Sequence, residues 1–203
     1  MNNQLDRRLA MISANQQLEH ALKEWAIAVD ALSTGKTIVL LRKGGIREAG
    51  FKVKHTLVWL YPTYEHQKPD LLKSEYAQGV IPVASGWHPQ TVTIKSCAEI
   101  TDVLPISQKS EIDALQPYHI WNEKMIGDRL KWKPKTPLMV LFLRVYRLTS
   151  PDTIPYSDTY GGCKSWIDLV KPIATDNLIP VINSQEYEQQ VQEIKDLIQS
   201  CSS

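Results

Sequence analysis

Cysteine is scarce in this 203-residue chain: Cys97, Cys163 and Cys201 are the full set, and none forms a C-x-x-C pair. An odd, scattered trio excludes a disulfide framework and a thiolate zinc site, and it fits a reducing compartment. Long apolar runs are missing too. The longest, LMVLFL at 138–143, falls far short of the roughly 20 residues a membrane helix needs. The start, MNNQLDRRLAMISANQQ, is polar and has no apolar signal core. These absences predict a cytoplasmic chain with no membrane partner. Net charge is nearly nil, at +1, so bulk electrostatics select no partner and any charge argument has to be local. There is no internal repeat and no low-complexity tract.

What is present patterns as an α+β domain. Leu18, Leu22, Trp25, Val29 and Leu32 recur at spacings of four and three, which predicts a leading helix over 16–33. Gly35 is placed to cap it. TIVLLR (37–42) reads as a buried strand, and Gly44-Gly45 turns the chain, with positive φ expected at Gly44 or Gly45. From Phe51 the residues alternate, predicting a strand of about ten residues with His55 on its apolar face. TVTIKSCAEITDVLP (91–105) alternates again, and 108–131 reads as helical with a break near Pro117. PLMVLFLRVYRL (137–148) is apolar on both faces at first, so it belongs inside the sheet. The stretch 149–182 reads as a long irregular connection with a short strand near Trp166. A closing helix spans about 184–199, with Asn183 and Glu186 as a capping pair. The expected unit is one domain over 1–203, with 1–15 as a flexible extension and 184–203 as C-terminal helix and tail. The sheet is expected to be mixed or antiparallel.

Several motifs invite chemistry and then withhold it. STGKT (33–37) ends like a phosphate-binding loop, but the glycine five residues earlier is replaced by Asp30, and a helix precedes where a strand is required. YGGCKSW (160–166) sets Cys163 beside Lys164. A reactive thiolate needs an accessible, electropositive setting, so a packed or tolerated cysteine is the favoured reading. The histidines at 20, 55, 66, 88 and 119 show no metal-ligand spacing, so no metal or cofactor is expected. A restriction-type nuclease would need D/E-x-K on a strand. The triplet Glu193-Ile194-Lys195 falls in the closing helix instead. Candidate catalytic groups are therefore dispersed: Glu48, Glu65 and His66, around a metal or a water.

The stronger signal is cationic. Residues 42–54 carry Arg42, Lys43, Arg47, Lys52 and Lys54 against Glu48 alone. Residues 129–147 carry six cations and no acid, with Trp132 inside RLKWKPK. Cations meet phosphates, and an interleaved ring stacks on an unpaired base. Arg42, Lys43 and Arg47 are assigned to phosphate, and Lys131, Trp132 and Lys133 to backbone and base. Tyr64, Glu65, His66 and Gln67 would read an edge. The solvated-hairpin reading stands beside this one: Lys52 and Lys54 suit the wet face of a strand.

ALKEWAIAVDAL, LLRKGGIRE, YPTYEHQ, LFLRVYRL and YGGCKSW together resemble a bacterial domain-of-unknown-function family, number 1802. The resemblance implies no established activity. Some relatives join this unit to a restriction-endonuclease-type domain, which implies a recognition part of a restriction or DNA/RNA-processing system. In layout, GKTIVLLR after a helix and the long mixed strands are also similar to the PUA-like and ASCH group of small β-barrels, which bind RNA or modified bases. The expected function is nucleic-acid recognition. The alternatives are a metal-dependent phosphodiesterase or nuclease, and a protein-binding adaptor that exposes some of its six tryptophans.

Overall fold

The computed structural model describes residues 16–44 and 50–201. The 1–15 extension, Gly45, Arg47 and Glu48 lie outside the described residues. Within them are seven strands and five helices. The strands are β1 (Gln17–Trp25), β2 (Val39–Arg42), β3 (Leu57–Thr63), β4 (Thr91–Ile106), β5 (Leu138–Pro155), β6 (Trp166–Ala174) and β7 (Leu178–Pro180). The helices are α1 (Ala26–Ser33), α2 (Ser74–Ala77), α3 (Lys109–Ala114), α4 (Glu123–Lys131) and α5 (Ser184–Cys201). The sheet order is β2-β5-β4-β3-β1-β6, with β7 pairing β5 beyond β2. Only β1 and β3 pair in parallel; the sheet is mixed and open among the described residues.

The leading helix over 16–33 is half right. Residues 26–33 are helical, but 17–25 form a strand held between β3 and β6. The spacing Leu18, Leu22, Trp25 satisfies a helix, but a strand buried on both faces accommodates it too: Leu18 packs in one core, and Leu22 and Trp25 in the other. Two neighbours saturate the backbone of β1, so tertiary pairing overrides the local pattern. Gly35 closes α1 with φ of 74°, and strand β2 follows, the order that excluded a phosphate loop.

The strand expected from Phe51 begins only at Leu57. Phe51 is buried and Lys52, Lys54 and Thr56 are exposed, so the alternation is real, but no ladder forms there. His55 is half-buried rather than in the core. The 149–182 stretch holds more structure than expected: β5 runs on to Pro155, and β6 and β7 follow. β5 is interior as read, flanked by β4 on one side and by β2 and β7 on the other. The closing helix also forms, with Asn183 Oδ1 accepting from Glu186 N–H at 2.9 Å.

The sheet is buried on both faces. One core gathers Leu22, Leu60, Ile100, Val140 and Phe142 under α1, α3, α4 and α5. The other takes Ala21, Trp59, Ile94, Tyr146, Ile154, Ile167 and Leu178 from six strands, with no α-helix. A core of that kind requires the sheet to coil on itself. Register shifts in β4 at Ile94/Ser96 and Ile100/Asp102 supply the bends. Cys97 lies in this second core, where burial pushes its thiol up to about 12 and leaves it inert.

Candidate functional site

A cleft of about 840 Å³ opens where the C-terminal ends of β1, β2 and β3 meet α4 and the loop 156–165. That volume suits a nucleotide-sized or larger organic ligand. Its frame starts at Glu24, a 7% exposed carboxylate at the end of β1. Glu24 accepts from the Trp25 backbone N–H at 2.7 Å and pairs with Arg42 at 3.3 Å. The Arg42 guanidinium also donates to the Lys23 carbonyl at 2.6 Å, joining β2 to β1. Lys23 points the other way. Its ammonium donates to the carbonyls of Tyr160 and of Gly162, the latter at 2.9 Å, and pins the loop 158–165 against the sheet. Desolvation, reinforced by Lys164, lowers the Lys23 pKa from the ordinary lysine value.

α4 forms the opposite wall. Asn122 caps it by accepting from Met125 N–H at 3.1 Å, and Glu123 opens its first turn. Its C-terminal end is closed by Lys43, whose ammonium donates to the Arg129 carbonyl at 2.8 Å and to that of Leu130 at 3.4 Å. Lys43 is 2% exposed, and burial lowers its pKa. Arg129, Trp132 and Asp128 then face the cleft. Arg129 and Lys133 both lie over the Trp132 ring, at 5.9 and 4.8 Å from its centroid.

The lining is aromatic. Trp25, Trp87, Trp121 and Trp132 contribute, as do Tyr61, Tyr64, Tyr156 and Tyr160. They brace one another: Trp25 meets Trp121 edge-on at 5.0 Å, Tyr61 meets Tyr160 at 5.5 Å, and His88 stacks on Tyr156 at 3.6 Å. Trp87, at the rim, is the exposed one among the six tryptophans. Five cationic side chains share the lining with three carboxylates. Such a cavity can grip a flat, anionic group between rings.

Glu65 and His66 also line the cleft. Glu65 accepts from the Gly86 backbone N–H at 2.6 Å, which holds its carboxyl below the usual range, with His66 Nε2 3.2 Å away. His66 takes φ of 65°, rare for a side-chain-bearing residue and a mark of local constraint. Cys163 is exposed, on the cleft wall beside Lys164, not packed.

The fold therefore brings together Arg42, Lys43, Trp132, Glu65 and His66 from the sequence-derived set. Lys131 and Lys133 flank Trp132 outside the lining. Arg47 and Glu48 fall outside the described residues. Sequence reading missed the aromatic walls, Lys23 and the 160–165 loop. YGGCKSW was the one local signal for that loop, and the turn-rich run Gly161-Gly162 marks where main chain approaches Lys23.

The family model described as "Domain of unknown function (DUF1802)" matches residues 21–193, and the chain belongs to that family. No curated protein matches it. Among solved structures, "Crystal structure of ASCH from Zymomonas mobilis" aligns over 87% of this chain and 96% of that one, at 12% identity and a TM-score of 0.46. No helix among the described residues is long and apolar enough to cross a membrane.

Proposed function

We propose that this member of the DUF1802 family is a nucleic-acid-binding recognition domain whose cleft takes unstacked bases of a single strand. The observation that carries this reading is convergence. Two cationic segments, about ninety residues apart, meet at one aromatic-lined cleft through Lys43 and the end of α4. Lys131 and Lys133 at its edge, with Lys164 on the far wall, meet phosphates. Trp132 and the tyrosines stack on bases, an interaction worth about 1–3 kcal/mol per base. Arg42 and Arg129 supply positive potential from within, since their own guanidiniums are held by the frame or desolvated. In cells such a domain would serve as the recognition part of a restriction or DNA/RNA-processing system.

A filter-binding panel of duplex DNA, single-stranded DNA and RNA at two salt concentrations tests this. Single strands should bind more tightly than duplex, and binding should weaken as salt rises. Equal affinity for duplex and single strands, or none for either at low salt, would remove the reading.

One observation favours a second reading, a phosphodiesterase or nuclease: the constrained Glu65–His66 pair faces the same cleft. Cleavage of a bound single strand that disappears in His66→Ala would replace the recognition reading by the catalytic one.

A further inference from the structure

His20, His55 and Asp168 have no metal-ligand spacing in sequence, yet the fold gathers them. β1 and β6 pair antiparallel with His20 opposite Asp168, just past the register shift in β1. His20 Nδ1 lies 2.7 Å from Asp168 Oδ1. His55, two residues before β3, stacks its ring on that of His20, with centroids 3.5 Å apart and planes 16° from parallel. Trp166 meets the His55 ring edge-on, with centroids 6.1 Å apart. One ligand atom from each of the three lies within 4.8 Å of the other two. None of the three lines the cleft.

We infer that His20, His55 and Asp168 form a site for a divalent transition-metal ion of the zinc class, with a fourth position open to water. Donors around a tetrahedral zinc bound at about 2.0–2.1 Å sit about 3.4 Å apart, and ring lone pairs lie in the ring plane, so the stacked imidazoles must unstack for both to reach one ion. The donor set selects the ion. Two imidazoles with one carboxylate suit zinc and its borderline neighbours, whereas magnesium and calcium seek oxygen alone. Coordination at His20 Nδ1 takes the place of its contact with Asp168, and the bound neutral imidazole carries its proton on Nε2. The position gives the ion a purpose. β6 is the last strand of the sheet, and the segment ahead of β3 has no ladder of its own. An ion here would staple both to β1.

The test is zinc titrated into metal-stripped full-length protein by calorimetry, with cobalt absorption as a second readout. The expected result is one ion per chain, a four-coordinate cobalt spectrum and a rise in the thermal midpoint with zinc. His55→Ala and Asp168→Asn should each lower zinc affinity by about 10-fold or more, since even outer-shell partners are worth that much. Asp168 has an exposed side chain, so its substitution leaves the fold intact and keeps the test interpretable. Absence of saturable one-to-one binding, or zinc affinity unchanged in Asp168→Asn, would overturn the site.

Discussion

The ammonium of Lys43, at the end of β2, donates to the main-chain carbonyl of Arg129 at 2.8 Å. This bond ties the first cationic segment to the second and holds α4 against the cleft. It also changes what Lys43 is for. A side chain 2% exposed and committed to a helix C-terminus is a structural cation, and the phosphate-facing charge lies with neighbours at the surface.

Lys43→Met should therefore cost stability. Hydrogen bonds from a charged donor contribute about 1.5–3 kcal/mol, and removing this one leaves helix-end carbonyls unpaired. Urea unfolding reads the loss directly. The salt slope of nucleic-acid binding should stay as in the wild type, because no phosphate contact is removed. An unchanged unfolding midpoint with a flattened slope would return Lys43 to the phosphate-binding set.

His119 should set an acid limit on stability. It is 2% exposed, its Nδ1 accepts from Trp121 N–H at 3.2 Å, and burial together with Lys73 lowers its pKa from 6.5 to about 4. The folded state thus binds this proton less readily than the unfolded one. The stabilisation is fully present above pH 6.5 and is lost as pH falls through about 4, amounting to roughly 3 kcal/mol across the window. Urea unfolding at several pH values should show His119→Gln losing stability less steeply than wild type between those limits. Parallel curves would contradict it.

Gly44 should resist substitution. Its φ is 87°, and a Cβ there would sit 2.6 Å from the Gly50 carbonyl carbon and 2.8 Å from Phe51 N. These atoms belong to the one facing Gly50–Phe51 peptide, main chain that cannot yield cheaply, so Gly44→Ala should destabilise by about 1–3 kcal/mol. A variant as stable as wild type in denaturant would mean that the turn is free to rearrange.

The elements legible in sequence were those whose local pattern and tertiary setting agree. β5 is buried on both faces at its start and reads as a continuous apolar run; α5 carries its stripe and its Asn183–Glu186 cap in adjacent residues. β1 was misread because Leu18, Leu22 and Trp25 serve a strand buried on both faces as well as a helix, and only pairing with β3 and β6 decides between them. Of the cleft, the cations and Trp132 stood out because charge is dense along the chain there. The tyrosine wall did not. Tyr61, Tyr156 and Tyr160 come from segments about a hundred residues apart, and their meeting depends on the coil of the sheet. Histidines 20 and 55 with Asp168 escaped for the same reason: strand register, not spacing, brings them together.

The most direct measurement is equilibrium binding of one single-stranded oligonucleotide and its duplex to wild type, Trp132→Ala and Lys131→Gln/Lys133→Gln, each across a salt series. The cleft reading predicts that single-strand affinity falls with salt at a slope of about −0.7 per phosphate contacted, and that the double lysine variant flattens the slope. Trp132→Ala should weaken the single strand by about 1–3 kcal/mol, with a smaller effect on duplex. No binding at low salt, or single-strand binding untouched by Trp132→Ala, would contradict it.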